Sequence, residues 1–152
     1  MVIIAEVNPY DPDALGLLEE LSESLEAITG SSGKSSFDLS DVCQSRSLFV
    51  IARDHTGEAI GCGAIRPLDQ NIAEVKRMFA KTKGMGIGSE ILSYLEEKAQ
   101  KLGYSMLWLE TRAVNKQAVS FYEHKGYHRI PNYGKYAGNP EAVCFEKHLP
   151  GN

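Results

Sequence analysis

The sequence predicts one α+β domain over residues 1–152, and three observations carry that expectation. Three consecutive segments of strand character, "SLFVIARD" (47–54), "AIGCGAIRPL" (59–68) and "NIAEVKRMFA" (71–80), are joined by links so short that antiparallel neighbours are expected. Before and after them, leucine and isoleucine recur at spacings of three and four, the period of a helix with one apolar face. A length of 152 residues, with 43% apolar and 24% charged, suits one globular core that buries roughly 70% of the unfolded chain's surface.

Each element follows from local signals. "VIIAEV" (2–7) reads as a strand closed by the turn formers Asn8, Pro9, Asp11 and Pro12. Asp11 or Asp13 caps a helix whose stripe is Leu17, Leu18, Leu21, Leu25 and Ile28. "TGSSGKSS" (29–36) has almost nothing to bury and is expected as a mobile loop, and "DLSDVCQS" (38–45) suggests a short second helix. The three central strands follow, and then a helix with Ile87, Ile91, Leu92, Leu95, Ala99 and Leu102 inward and a stop at Gly103. "SMLWLETR" (105–112) is a strand, Asn115 caps "KQAVSFYEHK", and Gly126 ends it. "YHRI" and "AVCFEKHL" form a last hairpin pair around the long loop "PNYGKYAGNP" (131–140).

Composition removes several function classes. The N-terminal apolar run has no basic leader and no cleavage site, and no stretch is long enough to span a bilayer, so a cytoplasmic protein without a membrane partner is the expectation. Cys43, Cys62 and Cys144 are odd in number and widely spaced, which suggests reduced thiols. A net charge of −4 argues against nucleic acid as a partner. His55, His124, His128 and His148 make no metal-ligand pattern, so no metal is expected.

The run "KGMGIG" (83–88) carries the chemistry. It is not a dinucleotide fingerprint, whose third glycine falls one residue later in a parallel unit, and "TGSSGKSS" is not a nucleotide phosphate loop, since Ile28 stands where the first glycine belongs. A strand end, small residues and a helix N-terminus together expose amides that can bind phosphate oxygens, while glycine permits positive φ and close approach. Lys81 and Lys83 just before the glycines favour pyrophosphate over a plain tight turn.

Lys83, Gly86 and Gly88, with "AEVKRMFA" before them and "LETRAVNKQAVSFYEHKGYHRI" after, resemble the GNAT superfamily of acyl-CoA-dependent N-acetyltransferases over nearly the whole chain. Lys83 stands where that family has Gln or Arg, keeping the charge without the guanidinium fork. The resemblance implies a mostly antiparallel sheet of six to seven strands with about four helices on both faces. Its two parallel central strands, containing Met78 and Leu109, would splay into a cleft. It implies that Met78, Phe79 and Ala80 pair with the pantetheine arm of acetyl-CoA. The amides of Gly84, Met85, Gly86, Ile87, Gly88 and Ser89, with Lys83, would hold the pyrophosphate. Asn115, Ala118 and Tyr122 would lie along the arm, with Tyr122 near the sulfur.

Acetyl transfer to an amine needs a base, a donor to the developing oxyanion and a proton for the thiolate. The Met78 amide is the candidate oxyanion donor and Tyr122 the candidate acid, although Tyr122 shares a helical face with Ala118 and Val119 and also reads as core. Glu74 would share the face of Met78 under strict alternation, making it a candidate base or else a surface carboxylate paired with Lys76 or Arg66; Glu110 is its rival. Tyr133 and Tyr136 either wall the acceptor site or anchor their loop. Two functions remain open: an enzyme acetylating a primary amine of a small molecule or peptide, and a non-catalytic module that binds coenzyme A. A homodimer is common among proteins of this resemblance.

Overall fold

The computed structural model describes residues 2–34 and 37–151. The described residues contain seven strands: β1 (Ile3–Glu6), β2 (Leu48–Arg53), β3 (Ala59–Pro67), β4 (Ile72–Ala80), β5 (Met106–Arg112), β6 (His128–Ile130) and β7 (Ala142–His148). Three α-helices accompany them: α1 (Pro12–Thr29), α2 (Ile87–Lys101) and α3 (Lys116–His124). The strands form one sheet in the order β1-β2-β3-β4-β5-β7-β6, and only the central pair β4 and β5 is parallel.

The expected helix at 38–45 is a 3-10 turn, Leu39–Val42, and a second such turn spans Gly134–Tyr136. Four residues capped by the Asp38 side chain stop before the initial turn of an α-helix repays its entropy. The expected loop at 29–36 is described as far as Lys34; Ser35 and Ser36 lie outside the described residues.

The helices sandwich the sheet. Asp11 accepts from the Asp13 amide and Pro12 opens α1, whose buried Ala14, Leu17 and Leu18 meet Phe49, Ile51, Cys62 and Ala64 on one face of the sheet. On the other face, Ile91, Leu92 and Leu95 of α2 and Val119 of α3 meet Val50, Ile65, Val75, Leu107 and Phe145. Each such large apolar side chain contributes roughly 1.5–3 kcal/mol on leaving water. Gly63 lets α2 lie close on β3: a Cβ there would stand 2.8 Å from Ile91 and 2.7 Å from the Met78 sulfur.

Two irregularities of β4 shape everything that follows. Its pairing with β5 runs only from Ile72 to Glu74, opposite Met106 to Trp108, although both strands continue. In addition, Arg77 has φ 54, and the register with β3 shifts between Cys62 and Ala64. That bulge adds one residue to β4, bends it, and inverts the alternation beyond it. Val75 and Met78 therefore both pack on the α2 side, Phe79 packs on the α1 side, and Arg77 reaches Ser22 of α1. The expectation that Glu74 and Met78 share a face is overturned for this reason.

Candidate active site

Beyond Glu74 and Trp108 the strands part, and the edge of β4 that faces β5 has no ladder partner there. Into this opening point the N-termini of two helices. α2 begins at Gly86, at φ 74, and no side chain caps it, so the amides of Ile87, Gly88 and Ser89 have no intrahelical acceptor. Gly84 is also left-handed, at φ 80, and a Cβ on Gly84 or Gly86 would meet nothing within 4 Å, so the space before these amides is open. α3 is capped by Asn115, whose Oδ1 accepts from the Ala118 amide at 3.3 Å.

A cavity of about 340 Å3 occupies the opening. Of the residues the sequence assigns to the cofactor, Met78, Phe79, Ala80, Lys83, Gly84, Gly86, Ile87, Gly88, Ser89, Asn115, Ala118 and Tyr122 line it. Met85 does not; its side chain is 67% exposed and turns outward. Lys81 is also elsewhere, bound to Glu20 at 3.3 Å and Glu58 at 3.5 Å, so Lys83 alone brings a cation from this pair.

A second cavity, about 150 Å3, adjoins the first, and both are lined by Leu21, Leu25, Met78, Asn115, Ala118 and Tyr122. Tyr122 is buried among Phe121, Tyr127 and Phe145, which matches its core reading, yet its hydroxyl makes no hydrogen bond to any described residue. Burial pushes its pKa up, so the hydroxyl is protonated at neutral pH.

The two candidate carboxylates part company. Glu74 is fully buried but not a surface group: Oε1 accepts from Arg66 Nε at 2.8 Å, Oε2 accepts from the Tyr133 hydroxyl at 2.6 Å, and it lines neither cavity. Each oxygen accepts one hydrogen bond within the protein and the group lines neither cavity, which disfavours Glu74 as the base. Glu110 does line the second cavity. Burial raises its pKa, with Glu74 adding to the rise, while Arg112, Lys76 and Lys135 oppose it. Its Oε2 approaches Arg112 Nη1 at 3.3 Å, but neither buried atom makes a well-directed hydrogen bond.

Tyr133 and Tyr136 line neither cavity. Tyr133 lies 4.9 Å from Trp108 and donates to Glu74, while Tyr136 is buried and accepts from Lys76 at 3.1 Å. These contacts anchor loop 131–140 on the sheet, in keeping with the second of the two roles the sequence allows. Among the described residues no group of three or more His, Cys, Asp or Glu side chains could hold a metal, and no helix is long and apolar enough to cross a membrane.

Residues 16–127 match the Acetyltransferase (GNAT) family. The chain belongs to the GNAT acetyltransferases. This acetyltransferase is 30% identical over 151 residues to the IAA acetyltransferase of Azospirillum brasilense, covering 97% of this chain and 98% of that one. It superposes with TM-score 0.83 on a Klebsiella pneumoniae structure classed with acyl-CoA N-acyltransferases, at 27% identity and with 98% of each chain covered. A GNAT family acetyltransferase from Elizabethkingia anophelis with acetyl-CoA bound has TM-score 0.72 at 20% identity, over 97% of this chain and 98% of that one, and there the likeness is one of fold.

Several residues that line the larger cavity are not among those the sequence assigns to the cofactor. Thr82, Gln117 and Phe121 line the larger cavity, as do Leu21, Ser24, Leu25 and Ile28 of α1. The stripe on α1 was the available signal: its first half is core, but Leu25 is only half-buried and Ile28 is 44% exposed, because the end of the helix passes over the opening rather than the sheet. Arg77 and Arg112, on the smaller cavity, left no sequence signal, since the bulge that positions Arg77 is a tertiary feature.

Proposed function

We propose that this chain, acting as one catalytic unit, moves an acetyl group from acetyl-CoA to a primary amine of a small molecule or peptide by direct attack, with both substrates bound. The observation that carries the reading is the junction of two cavities at Met78, Asn115, Ala118 and Tyr122. A donor in one and an amine in the other would meet there, and that juxtaposition supplies much of the rate. The uncapped α2 terminus fits a pyrophosphate, since its free amides and open glycine face lie on the larger cavity. The name of the Azospirillum relative and the acetyl-CoA in the Elizabethkingia structure support the same donor.

Acetyl-CoA brings the acyl group activated as a thioester. Glu110 takes a proton from the bound ammonium, directly or through water, and the Met78 amide stabilises charge on the carbonyl oxygen. As the N–C bond forms and the C–S bond breaks, the Tyr122 hydroxyl protonates the leaving thiolate and regains its proton from the amide nitrogen. The balance is one ammonium and one thioester giving one amide, one thiol and one proton.

Thiol release over a panel of amines, beside calorimetry of coenzyme A binding, tests the proposal. Tyr122→Phe is expected to lower kcat by about a hundredfold, the usual scale of general acid catalysis, with the coenzyme A affinity changed by no more than a few-fold. Equal turnover would return Tyr122 to the core. Tight coenzyme A binding with no turnover on any amine would favour the non-catalytic module.

A further inference from the structure

The smaller cavity holds more positive charge than acetyl transfer requires. Lys76, Arg77 and Arg112 line it against one carboxylate, Glu110. Lys76, 8% exposed, and the Glu110 side chain, 11% exposed, are withdrawn from water, whereas Arg77 is half-buried and the Arg112 side chain is 31% exposed. Lys76 and Arg77 are met by neutral groups, whereas Arg112 pairs with Glu110. Lys76 Nζ donates to the Tyr136 hydroxyl, Arg77 Nη2 to Ser22 Oγ at 2.6 Å and Nη1 to the Ser32 carbonyl at 3.4 Å, and the Arg77 guanidinium lies 5.4 Å from the Phe37 ring centre. Glu74, the buried carboxylate of β4, accepts from Arg66 and Tyr133 instead.

Arg77 Nε is buried without a hydrogen bond to any described residue, and Arg112 Nη1 and Glu110 Oε2, buried and without well-directed hydrogen bonds, face each other at 3.3 Å as an ion pair. Buried charged donors are rarely left without acceptors, and the exceptions call for a ligand or a function. The size of the cavity, about 150 Å3, is half the lower end of the roughly 300–1,000 Å3 that accommodates drug-sized ligands. Leu21, Leu25 and Leu109 supply an apolar wall.

We infer, resting on the acetyl-transfer reading above, that the acceptor is a small amine bearing a carboxylate, an amino acid or close relative, with Glu110 serving its ammonium and Arg112 and Arg77 its carboxylate. Guanidinium is suited to this task because its fork matches a carboxylate. Polyamines and aminoglycosides would add positive charge to a site already cationic, and like charges brought together are strongly rejected.

The test uses matched sets on the whole protein: L-leucine, L-leucinamide and isoamylamine; L-phenylalanine, L-phenylalaninamide and phenethylamine; and spermidine. The free acids are expected to show kcat/KM about ten- to a hundredfold above their amides and decarboxylated amines, the scale of charge-assisted hydrogen bonds. In Arg112→Gln, and separately in Arg77→Met, that ratio should shrink to a few-fold, through KM rather than kcat. Amides, simple amines or spermidine used as well as the acids would overturn the inference. Should no amine release thiol, calorimetry on the coenzyme A-loaded protein decides. Saturable binding of leucine or phenylalanine but not of the amides would keep the ligand class and defeat the transfer reading, and absence of binding would overturn this inference.

Discussion

Glu74 and Glu110 have the same functional group and opposite surroundings. Glu74 accepts from Arg66 and Tyr133 and lines neither cavity, whereas Glu110 opens on the smaller cavity with one poorly directed contact to Arg112. Burial lifts the Glu110 pKa above the ordinary carboxylate range, assisted by Glu74 and opposed by Arg112 and Lys76 and by Lys135 of the covering loop; Cys144 on β7, itself raised by burial, faces it as a neutral thiol. A protonated Glu110 cannot accept a proton, so kcat/KM should fall as pH falls through that raised pKa. Glu110→Gln is expected to remove this acid limb and to lower the plateau about a hundredfold, read from a pH–rate profile. Arg112→Gln removes the strongest opposing charge and should move the limb to higher pH. Candidate residues were legible in the sequence as types. Their partners were not, because the Tyr133 that occupies Glu74 lies 59 residues away.

At the scale of elements, the start of α2 is a helix end without a cap, where a chain ordinarily places Ser, Thr, Asp or Asn. Gly86 sits there at φ 74, in a region where a β-branched side chain is strained, and its open side faces the larger cavity. Gly86→Val is therefore expected to weaken coenzyme A binding at least a hundredfold by calorimetry, with a thermal midpoint only a few degrees lower. Gly88 differs: it is within the helix at ordinary φ, and a Cβ would make an ordinary 3.6 Å contact with Phe121. Gly88→Ala should keep its fold and bind within about tenfold of the native affinity; losses equal to those of Gly86→Val would argue against the distinction. The helices, strands and glycine run were legible because period and capping involve neighbours a few positions apart. The short helix expected at 38–45 is a 3-10 helix of four residues, Leu39–Val42, shorter than the segment the sequence marks.

For the whole molecule, the sheet is continuous on either side of β4 and β5 and open between their ends, so a ligand seated there joins the two halves. Coenzyme A at a hundred times its dissociation constant should stabilise the fold by about 2.7 kcal/mol, which for a chain of this size is about 5–10 °C in thermal midpoint. Gly86→Val should abolish that increment, and a rise that persists would place the ligand elsewhere. The sequence by itself determined the element order, the glycine loop at a helix start and the family resemblance, because these are properties of residues adjacent in the chain. The tertiary structure alone decided which carboxylate lines a cavity and what the tyrosines of loop 131–140 touch. One extra residue at Arg77 inverts the side-chain alternation of β4, and no count of positions along a strand can register a bulge that exists only against the neighbouring strand.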